Sequence, residues 1–121
     1  MRTVRAIWLA LSVAVMLQAQ TGWWMREPIR WVQTNLRETD ATLDPQRLIG
    51  QMADYRANVL HFSMGGIVAH YHPQVPFHYA SADLPPGKDL MGEIVQLAHA
   101  RHVRVIGRFD LSKTQKAVFD A

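Results

Sequence analysis

Three short stretches of this sequence place polar side chains at every second position of otherwise apolar runs. Gln33, Asn35 and Arg37 alternate with Val32, Thr34 and Leu36. His61 and Ser63 alternate with Leu60, Phe62 and Met64, and Arg108 and Asp110 alternate with Gly107 and Phe109. Residues two apart on a strand share a face, so each stretch would carry one apolar and one polar face. A polar side chain turned into an apolar layer is desolvated at a cost of a few kcal/mol. The polar set is therefore expected to face away from any covering helices. Arg108 is expected to lie near Asn35 or His61. Asp110 should stand at the rim, free to accept ligand hydroxyls, with Ile106 filling the interior below them and Phe109 packing outward on the helices.

A second group lies between Gly65 and Gly87: His70, Tyr71, His72, Phe77, His78 and Tyr79. Aromatic rings can stack on the C–H faces of a sugar while His and Tyr hydrogen-bond its hydroxyls. His70-x-His72 with His78 could instead suggest a metal site, but two alternating histidines are a weak pattern and only Asp83 lies near enough in sequence to complete a set. No metal ligand and no cofactor are assigned. His99 and His102, near the end of a helical stretch, read better as C-terminal capping groups. The substrate-binding candidates are Asn35, Arg37, His61, His78, Tyr79, Arg108 and Asp110.

The elements that would position these groups follow a simple order. Arg30–Leu36 reads as a strand, with β-branched and aromatic residues after Pro28. Asp44 is a good N-cap with Pro45 at the first helical position, and Leu48, Ile49, Met52 and Ala53 recur with helical period. Asn58–Met64 is a second strand, stopped by Gly65-Gly66. A connection carrying Pro73, Pro76, Pro85 and Pro86 leads to a second helix near Asp89, with Leu90, Met91, Ile94, Val95, Leu97 and Ala98 on one face. A third strand starts at about Val103, and Ser112-Lys113-Thr114 could open a third helix. A loop as long as this proline-bearing connection is usually functional or disordered.

The β-α-β-α-β order implies an α/β fold with a parallel sheet and right-handed crossovers. A dinucleotide-binding sheet expects a glycine-rich turn after its first strand. Here that turn is NLRETDATLDP, without glycine. The order fits the N-terminal portion of a (β/α)8 TIM barrel, whose functional groups sit at the C-terminal mouth of the strands and which needs about 250 residues. Residues 30–121 would then be its first two and a half units, after a lead-in over 20–29.

Residues 1–19 read as a cleaved signal peptide. Arg2 and Arg5 form a basic start, Ala6–Leu17 an apolar run of 12 residues, and Leu17-Gln18-Ala19 a cleavage site. A membrane-spanning helix needs about 20 apolar residues, so an uncleaved anchor is the weaker alternative. A secreted or periplasmic protein follows, with no membrane contact after cleavage. Removing Arg2 and Arg5 leaves 11 Lys and Arg against 10 acids, so the basic balance owes much to the export signal. No Lys/Arg cluster remains to track a phosphate backbone, which excludes nucleic acid as a partner. With no cysteine there is neither a disulfide nor a lipid-anchored cysteine, and 49% apolar residues must supply the core.

The segments REPIRWVQTNLRETD, ANVLHFSMGGIVAHY, PFHY and HARHVRVIGRFDLSK resemble the start of the hypothetical glycosyl hydrolase 6 family, barrel proteins related to the α-fucosidase and β-galactosidase-like hydrolases. The similarity covers about residues 26–121, and WVQTNLRETD and RFDLSK are its most specific pieces. The resemblance implies a (β/α)8 catalytic domain acting on carbohydrate. Hydrolysis of a glycoside needs two carboxyl groups, about 5–5.5 Å apart for retention or about 6.5–9.5 Å for inversion. The acids near the expected mouth are Glu38, Asp40 and Asp110. The first two read as solvated loop charge, and Asp110 alone is not a pair. The catalytic acid and nucleophile are therefore expected downstream of residue 121, and the isolated chain is expected to be inert and unstable. A non-catalytic carbohydrate-binding barrel and a metal-dependent polysaccharide deacetylase-like enzyme are the competing readings.

Overall fold

The computed structural model describes residues 22–110, 112 and 116–120. The signal-peptide expectation, over residues 1–19, lies outside the described residues. Strands β1 (Trp31–Gln33), β2 (Val59–Gly65) and β3 (Arg104–Phe109) form one parallel sheet in the order β1-β2-β3. Helix α1 (Pro45–Asp54) connects the first pair, helix α2 (Leu90–Ala100) the second, and a short α3 (Lys116–Phe119) follows β3. The α/β alternation and parallel pairing are as expected. The first strand is shorter than the 30–36 stretch, although the ladder reaches one residue further through Thr34 N–H donating to His61 O at 3.0 Å. Among the described residues no helix is long and apolar enough to cross a membrane.

Both long helices start where the sequence places a cap. The Asp44 carboxylate accepts from Gln46 N at 2.9 Å and Arg47 N at 3.2 Å, and Asp89 accepts from Gly92 N at 2.8 Å. Each bond satisfies a backbone donor that has no partner within the helix. At the far end of α2, Val103 N–H returns to Ala98 O at 2.9 Å, and His102 takes a positive φ of 57° to make that turn. It is the backbone that closes this helix. Arg101 N–H and His102 N–H bond the last carbonyls, and neither His99 nor His102 donates a side-chain bond to them.

The helices share one face of the sheet. Ile49 and Met52 of α1, Leu60 and Phe62 of β2, and Leu90, Ile94 and Ala98 of α2 form one buried cluster. Val32 and Val105, from the outer strands, pack against it. The opposite face carries Gln33, Asn35, His61 and Arg108, so the expected parity holds on all three strands. Ile106 lies on that open face and is 37% exposed rather than filling an interior, because no further layer covers it. Phe109 follows the apolar parity but is 53% exposed, its ring lying beside Gly65 rather than in the buried cluster between the helices and the sheet.

The N-terminal end of the open face is closed by the lead-in segment. Arg104 stacks on the Trp23 ring at 4.0 Å and pairs with Glu27 at 3.3 Å. Asn58 ties the same segment down, its amide donating to Pro28 O and its oxygen accepting from Arg30 N. The lead-in segment thus covers the N-terminal end of this face, while its middle and the C-terminal ends of the strands stay uncovered.

Candidate functional site

The turns after β1, β2 and β3 surround a cleft of about 390 Å³. Four of the expected site residues line it: Asn35, Arg37, Arg108 and Asp110. Glu38 and His70 complete its polar wall. Ser63, at the C-terminal part of β2, contributes to the floor, where its hydroxyl donates to Thr34 O at 3.0 Å.

Hydrogen bonds connect these groups across the open face. Arg108 Nη1 donates to Asn35 Oδ1 at 2.6 Å, and Arg108 Nη2 donates to Asp110 Oδ2 at 3.1 Å. Asn35 Oδ1 also accepts from Gln33 Nε2 at 3.1 Å, and Gln33 Oε1 meets His61 Nδ1 at 3.3 Å. Asp110 Oδ1 accepts from the Ser112 hydroxyl at 2.5 Å and from its N–H at 3.0 Å. Arg108 thus lies beside Asn35, as the parity argument expects, and Asp110 stands at the rim. Asp110 is already engaged there by Arg108 and Ser112.

Arg37 leaves the sheet and clamps Asp40. Its Nη2 lies 2.8 Å from Asp40 Oδ1, and Arg37 N–H donates to Oδ2 at 2.8 Å. These bonds hold the Asp40 carboxyl below the usual carboxylate range, and the pairing raises the Arg37 guanidinium in turn. The pair is exposed, so its direct contribution to stability is small. Its effect is to fix the turn that carries Glu38.

His70 is the histidine of the long connection that reaches the cleft. It is 3% exposed, and Leu90 N–H donates to its carbonyl at the start of α2. Burial lowers the pKa of its ring from the ordinary 6.5, against the opposing pull of the Asp40 charge, a hydrogen bond to the Arg37 backbone and the Glu38 charge. Its Nδ1 is buried without a hydrogen-bond partner. The connection around it is tied down by an isolated bridge between Ala69 and Ala80 and by Ser81 Oγ donating to Glu38 O at 2.7 Å.

The structure does not bring His78 and Tyr79 to the cleft. Tyr79 is 49% exposed, and its neighbour Ala80 packs on the core. With Tyr79 O accepting from Ala69 N–H in an extended pairing, adjacent side chains point opposite ways and the Tyr79 ring turns outward. His78 packs edge-on against Tyr71 at 6.0 Å, close to Gly65, and its Nε2 is buried without a partner. His61 also lies outside the cleft lining and joins it only through Gln33. Glu38, which the sequence reads as solvated loop charge, is an exposed turn residue that also lines the cleft. The Arg37-x-x-Asp40 spacing that folds this turn was the one available signal. Among the described residues no three His, Asp or Glu side chains gather as a metal would require. No family model, curated protein or solved structure matches this chain.

Proposed function

We propose that this chain contributes the opening strands of a (β/α)8 barrel in an exported, glycoside hydrolase-like protein of the type its sequence resembles, and that the cleft after β1–β3 makes contacts to a carbohydrate. The observation that carries this reading is the convergence of Asn35, Arg37, Arg108 and Asp110 on one cleft at the C-terminal ends of parallel strands, the end where barrel proteins bind their ligands. Two features support the barrel in preference to a doubly wound sheet. The strand order is sequential, and both long helices pack on the same face. A doubly wound sheet reverses its order and covers both faces. The uncovered face, bearing Trp31, Ile106 and the polar network, has the mixed character of a barrel interior.

Glu38 and Asp110 both line the cleft, so carboxylates face a bound sugar here whether or not the reacting pair comes from other strands. Export rests on Arg2, Arg5 and the apolar run Ala6–Leu17. The test is an NMR titration of the full-length protein that carries this chain with a panel of monosaccharides, together with N-terminal sequencing of the protein recovered after expression with an active export pathway. Shifts confined to the amides around Asn35, Glu38 and Arg108, and a mature terminus near Gln20, are expected. No response to any sugar would overturn the carbohydrate reading, and a retained Met1 in the membrane fraction would overturn export.

A further inference from the structure

We infer that Arg108 is a positioning residue for His61, fixing through Asn35 and Gln33 which of the two imidazole nitrogens carries the proton. A guanidinium has donors and no acceptor. The Asn35 atom that meets Arg108 Nη1 at 2.6 Å must therefore be the side-chain oxygen. The Gln33 atom that meets the same oxygen at 3.1 Å must in turn be a donor, the amide nitrogen. That leaves Gln33 Oε1 directed at His61 Nδ1, 3.3 Å away, and an oxygen without a hydrogen requires Nδ1 to carry one. Each link leaves the next a single orientation. The neutral His61 ring is held as the Nδ1–H form, with the lone pair on Nε2.

The surroundings keep the ring in place. His61 pairs with Gln33 and Ile106 in the parallel ladder, and the Trp31 ring meets it edge-on at 5.0 Å. No residue of the described chain hydrogen-bonds Nε2. The open face therefore offers an acceptor at His61 Nε2 and, one strand away, donors on Asn35 Nδ2. Such a pair suits a ligand hydroxyl that donates to His61 while its neighbour accepts from Asn35. Without the chain of bonds the ring would be free to take the Nε2–H form, which presents a donor and rejects the same hydroxyl. This ligand assignment rests on the carbohydrate reading proposed above. The tautomer does not, and it is measured without any sugar.

The test uses the whole chain, ¹⁵N-labelled at histidine, with long-range ¹H–¹⁵N correlation spectra at about pH 8, above the ordinary histidine range. The His61 signals are identified by their loss in His61→Ala. The wild-type ring is expected to show a protonated Nδ1 and a bare Nε2. Arg108→Met and Gln33→Leu should each move the ring to a mixture in which Nε2–H predominates. Arg108→Lys, whose ammonium is also a pure donor, should restore the Nδ1–H form. A wild-type ring protonated at Nε2 would overturn the inference, as would an Nδ1–H form that survives both Arg108→Met and Gln33→Leu. Gln33→Leu leaves Arg108 and Asp110 intact, so it decides the matter even if Arg108→Met does not fold. A confirmed tautomer with no response to sugars would leave the positioning role standing and remove only its ligand.

Discussion

Arg108 on β3 and Asn35 beyond β1 meet at 2.6 Å across the width of the sheet, although 73 residues separate them in sequence. β2 lies between their strands, so the contact spans it rather than following a ladder. It forms because Arg108, Ser63 and Asn35 fall on one face in one layer, with Arg108 opposite Ser63 in the register. The contact links the outer strands across the polar face, which stays open to solvent, while the Phe62 cluster buries the apolar face.

The two faces should respond very differently to truncation. Phe62 is fully buried between α1, α2 and the sheet. Phe62→Ala removes a core aromatic and is expected to cost about 3–5 kcal/mol. His61, its immediate neighbour, lies on the open face, and His61→Ala should cost less than about 1 kcal/mol. Urea unfolding midpoints of the two variants test the parity directly. Equal losses would mean that the open face is packed.

Acid should weaken the fold through His70. Burial favours the neutral ring, so the folded chain holds this proton less tightly than the unfolded chain does. Above the ordinary value of 6.5 the ring is neutral in both states and its contribution to stability is complete. As the pH falls through that value toward the lower folded one, the unfolded chain takes up the proton first and stability is lost. Asp40, held low by Arg37, adds a loss of the same sign further into the acid range. Unfolding midpoints at about pH 7.5 and about pH 5.5 should fall with acid, and His70→Gln should flatten the change across that interval. An unchanged slope in the variant would remove His70 from the account.

Helix starts, strand parity and the order of elements were legible because each rests on neighbours in sequence. Asp44-Pro45 and Asp89 are caps by local chemistry, and the alternation around His61 needs only a two-residue period. The Arg108–Asn35 contact was also within reach, since parity put both on one face. The long connection was not legible in the same way. Whether His70 or His78 faces the cleft depends on the Ala69–Ala80 bridge and on the Ser81–Glu38 bond, neither of which has a signature in spacing. Glu38 is an exposed turn residue, as its sequence reads, and only its place beside the cleft was not legible, because that depends on the turn that Arg37 and Asp40 close through side-chain contacts.

Gly107 should resist even the smallest substitution unless Met64 yields. A β-carbon at Gly107 would overlap Met64 Sδ, which lies over it on the helix-facing side of the sheet. Gly107→Ala therefore forces the flexible Met64 side chain out of its rotamer and is expected to cost about 1 kcal/mol. Met64→Ala loses part of a packed side chain on its own, but it vacates the space. The double variant should be more stable than the sum of the two losses predicts, by at least about 0.5 kcal/mol, as residues in contact generally couple. Strict additivity in a double-mutant cycle would show that the methionine is not what excludes the β-carbon.

Asp110→Asn separates a binding role from a bracing one. The carboxylate accepts from Arg108 through one oxygen and from Ser112 N–H and hydroxyl through the other. An amide keeps one oxygen, enough to hold the Ser112 turn, and loses the charge that faces Arg108. The pair is partly exposed, at 33% and 47%, so solvent already screens much of its attraction. The melting temperature is expected to change by no more than about 1 kcal/mol of stability would produce. Sugar affinity, under the proposed function, should fall clearly, because a rim carboxylate accepts hydroxyl bonds more strongly than an amide oxygen does. Binding and melting are measured on the same preparation. A large drop in melting temperature with intact sugar binding would identify Asp110 as a brace for the turn after β3, and the cleft would then have to recognise its ligand through Asn35, Glu38 and His70.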